Sequence, residues 1–460
     1  MRIENLEHDA VSIAQQLIRF HTVNGEVQER SCILFIKDLL DRAGIETQLI
    51  WRDERRPNLF ARYPAKLQSD GIEIPPFLMY GHVDVVSVKE QKWEKDPFSG
   101  MIEDGYLFGR GAIDMKGEHG MFLSALLHLA EEKVRLPFDV CYLAVSDEEG
   151  SSDFGMKYLV ENHAELFSEF HYAIGEIGGF SINVAGKKFY PIQIAEKQVA
   201  EIKITARGEG GHGSMKHSST AMEKMAVAVA ALSTKRLPVR VTAPVKMMIG
   251  KMSEELGGIK GKLLKGLLNP GMTDRLLDLL GDAGGIFDPL LHNSINVTII
   301  GGGDAVNVIP AAVWCKCDYR IVPQCSIEEA LEDIKSVIGE DFEIEVIRFD
   351  EGQAEADMKL FASMAQAVRE ADPDGCPVPF VLAAVTDSRF LSRLGVQTYG
   401  FTPMKLPEDY NFTSMAHNAN EKVPVDALIF GAELIYRYIV RDYAECFRKN
   451  SDDILIAEIE

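Results

Sequence analysis

Short apolar runs that end in glycine or a charged residue recur along the chain up to about residue 197. LLDRAGIETQLI, PNLFARYP, PFLMYGHVDVV, FDVCYLAVSDEE and HYAIGE are of this kind. Their length and their punctuation by turn residues predict strands. GMFLSALLHLAEEK keeps its apolar residues at helical spacing and predicts a helix between two of them. The opening stretch MRIENLEHDAVSIAQQLIRF reads as an amphipathic helix; it carries acids and has no basic segment followed by a purely apolar one, so it does not resemble a secretory signal. Alternating helices and strands predict an α/β sheet with its loops at one edge.

The texture changes at about residue 198. QVAEIKITARG alternates apolar and polar residues as a strand, STAMEKMAVAVAALS is helical, SINVTIIGGG and AAVWCKCDYRIV are two strands, SIEEALEDIKSVIG is a helix and FEIEVIRF a last strand. That order predicts a ferredoxin-like α+β unit spanning 198–350, inserted into a first domain made of 1–197 and 351–460. Helix and strand alternate again through DMKLFASMAQAVREA and LIFGAELIYRYIV. Within the insert, residues from about 243 to 293 hold further helical periods broken by Gly and Pro, and their Met and Leu stripe is expected to pack against the small unit.

A chain of 460 residues is too long for one ordinary core, in keeping with two domains. Hydrophobic content of 46% beside 26% charged residues is that of a soluble globular protein, and no uninterrupted apolar stretch is long enough to suggest a membrane span. The seven cysteines are odd in number and scattered, with Cys315 and Cys317 in a CxC on one predicted strand; they read as small core residues in a reducing cytoplasm. A formal net charge of −22 argues against nucleic acid or an anionic membrane as partner.

Against this background, acidic and imidazole groups stand where apolar runs give way to glycine or charge. They are His82 and Asp84 in MYGHVDVV, Asp114 in GRGAIDMKGEHG, Glu148 and Glu149 in SDEEGS, Glu176 in AIGEIGG and His417 in MAHNANEK. An open α/β sheet gathers its functional groups at the carboxyl ends of its strands, so residues far apart in sequence can meet there. Imidazole and carboxylate suit divalent metals, and two ions about 3.5–4 Å apart can share one carboxylate. A His, a shared Asp, two Glu and a second His would complete two such sites. If its strand continues, Asp84 lies on the same side as His82 and can accept the other ring N–H, setting the tautomer. Glu148 and Glu149, being adjacent, point apart, so one can ligate while the other faces a bound water. His119, His163 and His171 fall at no ligand position of these motifs and read as structural or solvated.

WEKDPFSGMIEDGYLFGRGAIDMKG, with GHVDVV before it and DEEGS after it, resembles the M20 family of metallopeptidases and amidohydrolases, and the likeness runs through the GHGS and NVIP segments of the insert. The resemblance implies a di-metal aminopeptidase-like α/β catalytic domain with an inserted ferredoxin-like lid or dimerisation domain. It implies that His82 and Glu176 hold one ion and Glu149 and His417 the other, with Asp114 between them. Zn2+ is the expected ion, with Co2+ or Mn2+ as alternatives. Glu148 becomes general base and acid, Asp84 the partner of His82, and the peptide bond after Asp114 is expected to be cis. His212 in EGGHGSMKH would donate to an oxyanion, often across a homodimer; Asn307 and Arg320 match substrate-binding positions, and Thr386 falls in a substrate-facing loop. Two departures stand out: Met215 and Lys216 follow GHGS where a proline is common, and Ala383, Ala384 and Val385 replace the glycines before Thr386 and Asp387.

Glu at position 176 goes, in this resemblance, with carboxypeptidases and deacylases. The expected substrate is therefore a peptide or N-acyl amino acid whose amine-side product carries a carboxylate. The rival readings are a dipeptidase acting on free amino termini and a catalytically silent binding protein on the same scaffold.

Overall fold

The computed structural model describes residues 9–67, 71–352 and 355–448, and its contacts divide the chain into two units. One comprises Met1–Ile194, Ala356–Phe380 and Thr386–Glu460; the other comprises Ala195–Glu355 and Val381–Val385. The first unit is built on a mixed sheet whose strands run in the order Glu46–Ile50, Asn58–Tyr63, Val140–Val145, Phe77–His82, Tyr172–Gly175, Gln397–Gly400, Lys187–Glu196 and Cys376–Leu382. Phe77–His82 pairs in parallel with both Val140–Val145 and Tyr172–Gly175, and Gln397–Gly400 is parallel to Tyr172–Gly175. These central strands are buried along their whole length, which is why their sequences run apolar without alternation. The edge strand Glu46–Ile50 pairs antiparallel with Asn58–Tyr63 and alternates in exposure.

The helix Lys116–Glu131 is buried on nearly every face, and it packs against Ala10–Ile18 and Val425–Arg437. Its close approach to the first of these needs Gly120, where a Cβ would lie 2.4 Å from the Ala10 carbonyl oxygen. Asp9 caps Ala10–Ile18, its carboxylate accepting from the Val11 N–H at 3.2 Å. The part of the expected N-terminal helix over residues 1–8 lies outside the described residues.

In the second unit the strands Ser294–Gly301, Ala312–Ile321, Gln198–Arg207 and Phe342–Asp350 lie side by side in that order, each antiparallel to its neighbour. The helices Ala221–Thr234 and Ile327–Ile338 complete the βα, ββ, αβ succession of a ferredoxin-like unit. Strict alternation puts Ile202, Ile204, Cys315, Cys317 and Tyr319 into the core. The extra segment forms helices over Ala243–Leu256, Gly258–Gly266, Thr273–Leu280 and Asp288–Leu291. Met248, Ile249, Met252, Leu264 and Leu277 are buried, but Ile259, Leu279 and Ile286 are exposed, so only part of the expected apolar stripe packs inward. Val381–Val385, expected with the first domain, joins the second unit instead, and the Leu382 carbonyl accepts from the Lys197 N–H.

The described cysteines are free and, except Cys376, buried. Among the described residues no helix is long and apolar enough to cross a membrane.

Candidate metal centre

Three neighbouring parallel strands of the first unit end at one place. His82 is the last residue of its strand and sits beside Val145; the Asp147–Glu149 turn follows Val145 closely, and Glu176 follows directly on Gly175. Asp114 and His417 arrive from loops. One oxygen of Asp114, Oδ1, lies 3.0 Å from His82 Nε2, while the other, Oδ2, lies 3.0 Å from His417 Nε2. Glu176 Oε2 is 3.5 Å from His82 Nε2, and Glu149 Oε1 is 3.3 Å from His417 Nε2. The result is two triads, His82–Asp114–Glu176 and Asp114–Glu149–His417, each with one donor atom per residue and all three within 4.8 Å of one another.

The donor set fits a pair of divalent ions. Each triad offers imidazole nitrogen and carboxylate oxygen, the ligands that Zn2+ and its neighbours take, and Asp114 faces one triad with each oxygen. The electrostatics also call for positive charge. Burial pushes the Glu176 carboxyl up to about 7 and raises Glu148 well above its ordinary value, with Glu176 adding repulsion. Burial, followed by repulsion from Asp114, raises Glu149. Burial disfavours a charged His82, but hydrogen bonds to Asp114 and Glu176 outweigh it and hold the imidazole well above its usual range. Contacts with Asp114 and then Glu149 lift His417 to about 10. Burial acts against the Asp114 charge, yet the two imidazoles hold its carboxyl below the usual carboxylate range. Cations at these positions would satisfy the same acids.

Glu148 stands beside the first triad, its Oε2 4.0 Å from His82 Nε2. It is thus a neighbour of the first triad without belonging to either. The contact expected between the Asp84 carboxylate and His82 takes another form. His82 Nδ1 donates to the backbone carbonyl of Asp84 at 2.9 Å, whereas the carboxylate Oδ1 is 3.8 Å away. The strand stops at His82, so the chain turns and brings the carbonyl to the ring. The Asp84 carboxylate instead accepts the backbone N–H groups of Glu148 and Glu149, each at 3.1 Å. It holds the turn that presents the two glutamates. The Asp114–Met115 peptide bond is cis, as the resemblance implied.

Of the residues that support the site, Arg110, Glu421 and Gly175 were not singled out from sequence, and His119 was read only as structural or solvated. His119 is buried; its Nε2 donates to the His82 carbonyl at 2.7 Å and its Nδ1 accepts from the Tyr142 hydroxyl at 2.6 Å. Burial lowers this imidazole to about 3, so it is neutral and fixed as one tautomer, a structural role as expected. Arg110 and Glu421 form a buried pair at 2.6 Å that ties two loops together. Glu421 Oε1 accepts from the Ile113 N–H at 2.8 Å, while Arg110 Nη2 donates to the His417 carbonyl at 3.2 Å. Both stand inside GRGAID and NANEK, where charged residues beside the ligand positions were the available signal. Gly175 lets Tyr80 approach, because a Cβ there would lie 2.4 Å from the ring.

The substrate-side residues fall in different places. His212 lies in the second unit on a short exposed strand, its Nδ1 2.8 Å from Ser214 Oγ. Asn307 is exposed nearby, and its carbonyl accepts from the Gly213 N–H at 2.8 Å. The fork of Arg320 is taken by Asp318, two residues back on the same strand, at 2.7 and 3.0 Å. Thr386 differs from expectation: it is 1% exposed, and its hydroxyl accepts from the Ser388 N–H at 3.1 Å, so it holds its own turn. Beside it the buried Asp387 accepts from Ser152 Oγ at 2.8 Å, and burial raises its carboxyl to about 6.

The sequence model of Peptidase family M20/M25/M40 matches residues 78–441. Aminoacylase-1 of Sus scrofa is 26% identical over 414 residues, covering 86% of this chain and 88% of that protein. The N-fatty-acyl-amino acid synthase/hydrolase PM20D1 of Homo sapiens is 25% identical over 385 residues, covering 81% and 75%. The crystal structure of the M20 family metallo-carboxypeptidase Sso-CP2 from Sulfolobus solfataricus superposes with a TM-score of 0.64 at 17% identity, covering 94% of this chain and 99% of that one.

Proposed function

This chain belongs to Peptidase family M20/M25/M40 and is a hydrolase, and from that membership we propose that it cleaves the amide bond of an N-acyl amino acid or peptide whose amine-side product carries a free carboxylate. The observation that carries the reading is the division of Asp114, one oxygen to each triad, with Glu148 beside His82. Two divalent ions, with Zn2+ as our assignment, would be held by His82, Asp114 and Glu176 on one side and by Asp114, Glu149 and His417 on the other. Such ions would supply Lewis acidity, lowering the pKa of a water and polarising the scissile carbonyl. Glu148 takes the proton of that water as its oxygen bonds to the carbonyl carbon, then passes it to the leaving nitrogen as the C–N bond breaks, so that acid and amine separate with the proton accounted for. Asp84 keeps Glu148 aimed through the backbone N–H it accepts.

The substrate class draws support from relatives that bear the names of an aminoacylase and an N-fatty-acyl-amino acid hydrolase. His212, Asn307 and Arg320 are assigned to the substrate by resemblance: a donor for the developing oxyanion, and an amide and a guanidinium for the carboxylate. For Arg320 this requires exchanging Asp318 for the substrate.

The test is a hydrolysis screen on demetallated protein given back Zn2+, Co2+ or Mn2+, comparing N-acyl amino acids with dipeptides bearing a free amino terminus. We expect activity only with metal and a preference for the acylated series. Full activity after thorough demetallation would overturn the reading, and preference for free dipeptides would replace it with a dipeptidase.

A further inference from the structure

Two carboxylates lie close together behind the glutamate turn. Asp84 is fully buried and Asp147 is 3% exposed, and neither reaches an ion position in either triad. Both are reached by one amide group: Asn24 Nδ2 donates to Asp84 Oδ2 at 2.8 Å and to Asp147 Oδ1 at 3.1 Å. A primary amide carries two hydrogens, one for each acid, and no charge of its own. Beyond it, Arg56 meets Asp147 Oδ1 at 3.0 Å and also donates through Nε to Glu29 at 2.8 Å, so the row of acids ends in a buried cation.

We propose that Asn24 is a positioning residue for the Glu148–Glu149 turn, acting by bridging Asp84 and Asp147; the inference rests on the hydrolase reading above. Asp84 holds the turn from one side through the N–H groups of Glu148 and Glu149. Asp147 is the residue before Glu148, and it adopts a left-handed backbone at φ 68° that a non-glycine residue keeps only when its surroundings hold it. With the amide removed, two buried carboxylates would face each other, and the turn that connects them would be the part free to yield. Asn24 is itself held from behind, its N–H donating to the Val85 carbonyl at 2.9 Å. Gly150 completes the fit, since a Cβ there would lie 2.7 Å from Asp147 Oδ1 and 2.9 Å from Asn24 Oδ1.

The experiment compares the full chain with Asn24→Ala, Asn24→Ser and Thr22→Val, the last removing the 2.6 Å hydrogen bond from Thr22 Oγ1 to the Val83 carbonyl while leaving every bond of Asn24 and of both acids in place. Each demetallated protein is titrated with Mn2+ by calorimetry, melted, and assayed on the best substrate of the unmodified enzyme. In the Asn24 variants we expect one of two Mn2+ binding events to weaken by about 10–100-fold, as is usual for partners that orient metal ligands, and kcat to fall in the same range with KM within about threefold. Thr22→Val should lower the melting temperature while leaving Mn2+ affinity and kcat near their original values. A folded Asn24 variant with unchanged Mn2+ binding and kcat overturns the inference, as does an equal loss in Thr22→Val. Failure of both Asn24 variants to fold also overturns it, in favour of a purely structural role. An unmodified protein that binds no Mn2+ or hydrolyses no amide would instead refute the hydrolase reading.

Discussion

Replacing Asp84 by Asn separates two accounts of that residue. Its carboxylate receives three hydrogen bonds: the Glu148 N–H on Oδ1, and the Glu149 N–H with Asn24 Nδ2 on Oδ2. An asparagine of the same shape can keep its oxygen on the Oδ2 side and satisfy two donors there. Its NH2 then faces the Glu148 N–H, donor against donor. An unsatisfied buried N–H costs about 1–3 kcal/mol, which the turn can relieve by moving Glu148 away from its place. If that displacement appears in the transition state, the loss is about one to two orders of magnitude in kcat, since about 1.4 kcal/mol corresponds to a factor of ten. The His82 tautomer should survive, because Nδ1 donates to the Asp84 carbonyl, which the substitution leaves in place. The expected outcome of Asp84→Asn is therefore reduced kcat with unchanged metal content and an unchanged imidazole 15N pattern. Metal stoichiometry by atomic emission, steady-state kinetics and selectively labelled histidine spectra provide the readouts. Loss of metal together with a changed His82 tautomer would refute the reasoning and restore the carboxylate as the partner of the ring.

Glu148→Gln should lower kcat by about two or more orders of magnitude with metal content kept; loss of metal would mean that Glu148 and Glu149 have exchanged roles. Gly175→Ala forces a Cβ to within 2.4 Å of the Tyr80 ring, and should cost about 1–3 kcal/mol in chemical denaturation while weakening metal binding through the displaced Glu176; wild-type stability and affinity would contradict the packing argument. Because His82 is held well above its usual range and His417 at about 10, both imidazoles carry protons at neutral pH in the metal-free protein, and ions must displace them. Metal affinity should rise with pH, and uptake near neutrality should release at least about two protons, with a further share from Glu176, whose carboxyl burial raises to about 7, in calorimetry across buffers of different ionisation enthalpy; no release would refute this charge assignment. His212→Ala should reduce kcat by about 10²–10³-fold with metal content unchanged, and undiminished turnover would remove it as an oxyanion donor.

Of the residues in the two triads, His82, Glu149 and Glu176 are legible in the sequence because buried parallel strands leave a plain trace, whereas Asp114 and His417 stand in loops and are marked only by the motifs around them. PFLMYGH, FDVCYLAV and HYAIG have apolar side chains on both faces, so the first His, Asp or Glu after each run marks the carboxyl end of a strand, where an α/β sheet collects its chemistry. The ferredoxin-like unit is readable for the converse reason: strict alternation in QVAEIKITAR and AVWCKCDYRI announces strands with one buried face. What could not be read depends on where the backbone turns. The two-residue spacing of His82 and Asp84 places their side chains together only along a continuing strand; the strand ends at His82, and a carbonyl takes the place predicted for a carboxylate. The same spacing in Asp318 and Arg320, within an unbroken strand, does bring the side chains together, and Asp318 occupies the fork that resemblance reserved for substrate. Thr386 was judged by the loop it belongs to, whereas its burial follows from the short helix Ser388–Ser392 that turns the hydroxyl inward. Asn24 leaves no periodic trace at all, because it is separated from Asp84 by 60 residues and from Asp147 by 123. A residue whose work is to stand between two acids becomes visible only when the fold has brought those acids together, so the positioning of the glutamate turn belongs to tertiary structure even where the glutamates themselves belong to the sequence.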